Sequence, residues 1–149
     1  MIIREAKKSD ISEIHNLGKD VREFSTTDEV VTFWPKYILQ NCIESRTDFL
    51  IVAEENNKII GFTIVNYNPI FKKAVIENLY VHSNYRGRRI GYKLLNSAIE
   101  RLKKTGCEYV CALTETTNEK VIKLLLEIDF NKGKNYFWLD KVLNKKFSK

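Results

Sequence analysis

The sequence predicts a mixed α/β fold, with a mostly antiparallel central sheet flanked by helices. Three observations carry that reading. Strand-length apolar runs follow one another through residues 48–82, two of them separated only by Asn56-Asn57. A strand and a short loop then lead into a helix-spaced apolar series: Ile90, Leu94, Leu95, Ala98 and Leu102. No apolar run approaches the roughly 18 residues that a membrane span needs. With 149 residues, 44% of them hydrophobic and 30% charged, one domain over residues 1–149 is expected. A chain of this size buries a core without a disulfide or metal staple.

The elements read in order as follows. Ile2 to Ala6 is a short strand. Ser9-Asp10 then cap a helix, with Glu13 three residues beyond Asp10 as in a capping box. Ile11, Ile14, Leu17, Val21 and Phe24 form its apolar stripe, and Ser25 to Asp28 break it. A second helical segment, interrupted by Pro35, carries Phe33, Trp34, Tyr37 and Ile38. Asp48 to Glu55 and Lys58 to Asn68 are strands. Asn tolerates positive φ, so Asn56-Asn57 suits a tight hairpin between them. Pro69 closes the second strand, and Lys73 to His82 forms the next. A loop from Ser83 to Gly87 opens a helix that ends at Gly106, as a C′ glycine should. Glu108 to Leu113 is a strand, Asn118 to Ile128 a helix and Tyr136 to Val142 a final strand.

Charge narrows the partners. The net charge is +6, and its distribution is uneven. Seven Lys and Arg face the single acid Glu100 between Arg86 and Lys104, whereas the rest of the chain balances, 18 against 18. Nucleic-acid binders spread cations over a face several elements wide. A compact cationic stretch fits a small polyanion such as the phosphates of a nucleotide. Neither a nucleic acid nor a membrane is an expected partner. Cys42, Cys107 and Cys111 are odd in number and form no CxxC pair, so buried apolar thiols are expected rather than disulfides. His15 and His82 lack ligand spacing to them, so no metal is expected. Met1-Ile2-Ile3-Arg4 has no apolar core of a signal peptide, and a cytoplasmic location is the expectation.

The chemistry concentrates where Glu77-Asn78-Leu79-Tyr80-Val81 leads to Arg86-Gly87-Arg88-Arg89-Ile90-Gly91. A strand gives way to a turn that opens a helix. The first turn of any helix carries free N–H groups and a partial positive charge. Gly87 and Gly91 permit close approach to the backbone, and Arg86, Arg88 and Arg89 add charge-assisted donors. Together these make a pyrophosphate cradle. The P-loop pattern GxxxxGK[ST] and the dinucleotide pattern GxGxxG are both absent.

These residues resemble the GNAT superfamily of acyl-CoA-dependent N-acetyltransferases. Its central motif, (Arg/Gln)-x-x-Gly-x-(Gly/Ala) after a strand ending in a Leu-x-Val-like run, finds Leu79 to Val81, Arg86 and Gly91 here. Arg89 stands at the position that is usually Gly. Asn118 and Phe130 match a second family feature, while Leu125 replaces a frequent Tyr and Asp129 a usual Gly. The order of elements matches over essentially the whole chain. The resemblance implies a sheet splayed between the fourth and fifth strands. Acetyl-CoA would lie there, its pantetheine pairing with the backbone of Leu79 and Val81 and meeting Asn118. Its diphosphate would rest on Arg86, Gly87, Arg88, Arg89, Ile90 and Gly91. The thioester carbonyl would sit near the N–H of Leu79 or Tyr80, which polarises it.

The resemblance thus implies acetyl transfer from acetyl-CoA to a primary amine on a small molecule or peptide, by direct attack in a ternary complex. The alternative is a catalytically weak acyl-CoA-binding module with a structural or sensory role. A lysine-type amine, with a pKa of about 10.4, is neutral less than about one part in a thousand at pH 7, so a base is needed. Glu77 is the only carboxylate in the central strand, at a position where many family members carry a Glu. Leu125 has no proton to give the departing thiolate, which leaves Tyr80, Tyr136 or water. The acceptor would enter near the second helical segment, past Phe24, Phe33, Trp34 and Tyr37, unless these rings pack that helix onto the sheet. Residues 24–48 carry Asp28, Glu29, Glu44 and Asp48 against Lys36 and Arg46, an acidic excess that suits a cationic amine. A homodimer is compatible with the sequence.

Overall fold

The protein is represented by a computed structural model that describes residues 1–24, 33–135, 137, 139 and 141. The elements are β1 (Ile2–Glu5), α1 (Ile11–Gly18), α2 (Lys36–Glu44), β2 (Phe49–Glu55), β3 (Lys58–Asn68), β4 (Lys73–Val81), α3 (Ile90–Lys104), β5 (Tyr109–Ala112) and α4 (Glu119–Leu126). The five strands pair in sequence order. The first four are antiparallel, and β5 runs parallel to β4, with α3 as the crossover that a parallel pair requires. Asn56 and Asn57 both take positive φ (52° and 58°) and turn β2 into β3 as the sequence predicts.

Alternation along β2 divides the core. Phe49, Ile51 and Ala53 pack with Ile90, Leu94, Leu95, Ala98 and Leu102 of α3. Leu50 and Val52 point the other way, onto Ile11 and Ile14 of α1 and Leu39 and Cys42 of α2. The sheet is therefore buried on both sides, and its strands read as near-continuous apolar runs.

The structure departs from the sequence reading in several places. Helix α1 stops at Gly18 instead of running to Phe24. The Phe33 ring occupies the space beside Gly18, where a Cβ would meet it at 2.3 Å. The chain then tightens into a single 3-10 turn over Arg22–Phe24. This lets Phe24 stack on Phe33, with centroids 5.6 Å apart. Packing of the helix onto the sheet, not a ligand mouth, thus accounts for Phe24 and Phe33. The expected capping box does not form. Asp10 instead accepts the Lys7 N–H at 2.7 Å and two bonds from the Arg4 guanidinium. Glu13 accepts the Ile59 N–H at 2.7 Å, tying α1 to the start of β3. Pro35 precedes α2 rather than interrupting it, because its missing N–H is harmless there. Of the three thiols only Cys42 is buried; Cys107 and Cys111 are half-exposed. The expected strand from Tyr136 to Val142 lies mostly outside the described residues, and Phe137, Leu139 and Lys141 are in no strand. Among the described residues, no helix is long and apolar enough to cross a membrane, and no His, Cys, Asp and Glu group could hold a metal.

Candidate active site

The fourth and fifth strands stay together for only four residue pairs, Lys73 with Tyr109 through Ile76 with Ala112. Beyond Ile76, β4 continues to Val81 paired, among the described residues, with β3 alone. The other edge of residues 77–81 is therefore open, and the sheet splays where expected. His82 donates its N–H to the Ile60 carbonyl at 2.9 Å, which fixes the alternation along this stretch. The antiparallel pattern then turns Tyr80 toward Phe62, while the N–H and C=O groups of Leu79 and Val81 face the open edge. Leu79, not Tyr80, thus has a backbone donor available there.

A bulge reorganises β4 just before this edge. Ile64 pairs with Asn78 and Val65 with Ile76, so Glu77 is the extra residue. The bulge reverses the phase of the strand. Ala74 and Ile76 before it, and Leu79 and Val81 after it, all face α3. Tyr80 turns to the opposite face, where it stacks on Phe62 (5.7 Å) and meets Phe24 edge-on (6.4 Å). Two bonds hold the bulge. The buried Thr63 hydroxyl donates to the Asn78 carbonyl at 2.9 Å, and the Trp34 indole N–H donates to the Asn78 side chain at 2.6 Å. The sequence left Trp34 either at an acceptor mouth or in packing onto the sheet; its observed partner is the strand that carries Glu77. Tyr37, the fourth of those aromatics, is exposed. Glu77 reaches the surface, yet burial pushes its carboxyl above the ordinary glutamate value, and the charge of Asp48 pushes it in the same direction. Tyr136, the other candidate proton donor, lies outside the described residues.

At the far end of the open edge the chain enters the loop before α3. Gly87 (φ 78°) and Arg89 (φ 56°) both adopt left-handed backbone there. Arg89, at the motif position that is usually Gly, thus takes a backbone that favours glycine, and Asp129 does so after α4, at φ 65°. The turn after α4 closes with bonds from Phe130 N–H to Leu125 O and from Asp129 N–H to Leu126 O, the pattern of a helix ending in a left-handed residue. Arg89 has no capping side-chain bond over α3, so the N–H groups of its first turn are bare. Ile90 is 2% exposed and anchors the turn in the core, leaving only its backbone for a ligand.

The three arginines are engaged within the fold. Arg86 donates from Nε to the Val81 carbonyl at 2.9 Å, bracing the loop against the open edge. Arg88 forks onto Glu55 at 2.7 and 3.1 Å and lies over the Tyr85 ring. Arg89 lies over Tyr92, 4.3 Å from the centroid. Their charge surrounds the bare helix end, while the main chain offers the directed donors. Gly91 packs where three elements converge: a Cβ there would meet Leu124 at 3.1 Å and Leu79 at 3.7 Å. Asn118 caps α4, its side chain accepting the Val121 N–H at 3.4 Å, which leaves its amide N–H groups uncommitted to the cap. Leu125 is buried in the core.

An open groove of about 940 Å³ lies at the other end of β4, lined among others by Asp48, Asn66, Phe71, Lys73, Val75 and Tyr109. It is separate from the α3 turn. Sequence reasoning counted Asp48 only as part of a local charge balance. No local signal placed it near Glu77, since strand register alone brings them together.

Comparison with known proteins gives concordant matches. Residues 11–130 match the model of the acetyltransferase (GNAT) family. An uncharacterized N-acetyltransferase of Methanocaldococcus jannaschii is 28% identical over 134 residues, 86% of this chain; the match spans 59% of that protein's length. An uncharacterized N-acetyltransferase of Bacillus subtilis, YhfO, is 28% identical over 128 residues, covering 83% of this chain and 85% of its own. Among solved structures, the aminoglycoside N-acetyltransferase AAC(6')-Iy in complex with CoA superimposes with a TM-score of 0.75 at 14% identity, covering 95% of this chain and 99% of its own. That likeness is one of fold.

Proposed function

The chain belongs to the acetyltransferase (GNAT) family, and from that premise we propose that it moves an acetyl group from acetyl-CoA to a primary amine by direct attack in a ternary complex. The observation that carries this reading is the edge of β4 at Leu79 and Val81, which pairs with no strand beyond β3 among the described residues and leads to the N-terminus of α3, which has no side-chain cap. An extended pantetheine arm adds to such an edge as a strand would. The diphosphate meets the amides of residues 87–91 and the positive end of the helix. Arg86, Arg88 and Arg89 supply the surrounding charge, and the Asn118 amide faces the arm.

At the reacting end, Glu77 takes the proton from the incoming ammonium. The neutral amine attacks the thioester carbonyl carbon, and the Leu79 N–H stabilises the oxygen that gains charge. The carbon–sulfur bond then breaks and the thiolate departs. A thiol pKa of about 8.5 lets it leave without a dedicated acid, so none is assigned. Burial raises the Glu77 carboxyl from its ordinary value, the direction that makes it a stronger base.

The acceptor is a small molecule or a peptide. The test is thiol release from acetyl-CoA on adding peptides with free N-termini, polyamines and aminoglycosides. Turnover with at least one class, and its loss in Glu77→Gln, is expected. Tight CoA binding without turnover across the whole panel would replace this reading with that of an acyl-CoA-binding module.

A further inference from the structure

The start of β4 lines a groove through Lys73 and Val75, two residues before Glu77, and the register across the sheet shows which groups share its face. Phe49 pairs with Val65, and Asn66 pairs with Val75. Phe49 and Val65 face α3, so Asp48 and Asn66 face the other side. Asp48, immediately before β2, thus lines up with Asn66 of β3 and Val75 of β4, and Glu77 follows Val75 by two residues. All three line the groove. Asp48 is held rigidly: one carboxylate oxygen accepts the Tyr67 N–H at 3.1 Å.

We propose that Asp48 is the carboxylate that binds the acceptor's ammonium group, holding it in the groove mouth while Glu77 removes its proton. This deepens the function proposed above and rests on Glu77 acting as the base. The two carboxylates divide the work. Both negative charges attract the cation, but only one group should take a proton from it. Burial and then the charge of Asp48 both raise the Glu77 carboxyl, which favours its taking up the proton. The proton passes from the ammonium nitrogen to a Glu77 oxygen, leaving a neutral amine, a neutral Glu77 and a charged Asp48. The other titratable neighbours do not take this role. Burial and the charges of Asp48 and Glu77 raise the Cys42 thiol and keep it protonated. Lys73, in the groove lining, lies over the Tyr109 ring at 5.6 Å.

The experiment compares the wild-type chain with Asp48→Asn, which keeps the oxygen that accepts from Tyr67 and removes only the charge. The Glu77 carboxyl is titrated by carbon-13 NMR, without and with 1,4-diaminobutane as the probe. The proposal expects the Glu77 midpoint to fall in Asp48→Asn. It also expects diaminobutane to bind about tenfold more weakly, the loss of one charge-assisted contact. Asp48→Glu should restore part of both. An unmoved midpoint, equal diamine affinity in the two proteins, or no diamine binding to the wild type would each overturn the proposal. Acetyl-CoA affinity, measured by calorimetry, should be the same in both. Its absence from the wild type would refute the acetyl-transfer reading while leaving the NMR result on Asp48 to stand or fall separately.

Discussion

Arg89 holds a left-handed backbone at φ 56°, on the turn proposed to carry the diphosphate. A residue with a Cβ is disfavoured in that conformation by about 1–2 kcal/mol. Glycine escapes the clash but loses about 0.5–1 kcal/mol more chain entropy on folding. The comparison that isolates this strain is Arg89→Gly against Arg89→Ala, because both remove the Arg89–Tyr92 stack. At an ordinary helical position alanine is the more stable by about 1 kcal/mol. Here the order reverses, with glycine ahead by about 0.5–1 kcal/mol. For a chain of this size that is a rise of about 2 °C in Tm. Urea unfolding followed by tryptophan fluorescence gives the same difference as a shift in midpoint at constant slope. An alanine variant as stable as the glycine one would show that the turn is not left-handed, and the arrangement of amides around it would have to be redrawn.

Other outcomes follow from the same geometry. Glu77 has a folded-state value above that of the unfolded chain, so it favours folding only when protonated, and that contribution is lost as pH rises through the folded value. Glu77→Gln should therefore melt higher than wild type at neutral pH, with the gap closing in acid. The acid limb of the kcat/KM profile should vanish in the same variant; a retained limb would remove Glu77 from the reaction. Asp10 behaves oppositely. Burial opposes its charge, but the Arg4 guanidinium and the Lys7 N–H hold its carboxyl below the usual range, so its contribution is present at neutral pH and lost in acid. Asp10→Asn should lower Tm at pH 7, and the difference should shrink as pH falls. Gly18→Ala should cost about 1–3 kcal/mol by overpacking, since its Cβ would lie 2.3 Å from the Phe33 ring; a Tm equal to wild type would contradict that contact. Gly91→Asp should abolish CoA binding in calorimetry through like charge, whereas Gly91→Ala, which needs only Leu124 to give way, should retain measurable affinity.

Much of the architecture was legible because its signals are local. Asn56-Asn57 fixes a hairpin through two residues that tolerate positive φ, Gly106 ends α3 in the same way (φ 78°), and Pro35 precedes α2. The α3 stripe and the strand before it marked the turn that opens α3 without any long-range information. The limits were equally physical. Periodicity carried α1 on to Phe24, but the Phe33 ring against Gly18 ended it, and that contact joins residues far apart in the chain. Arg88 looked free for a phosphate, yet it forks onto Glu55 across the β2–β3 turn.

The amino-acid order alone therefore determined most of which segments coil and which extend, since these depend on near neighbours. Folding decided the rest. Pairing between β3 and β4 made Glu77 the bulged residue and turned the Leu79 and Val81 amides to the open edge. The same pairing across three strands set Asp48 on one face of the sheet with Val75, two residues before Glu77. Register is a relation between distant stretches of chain, settled by which side chains fill the core on each face of the sheet, and no local pattern encodes it.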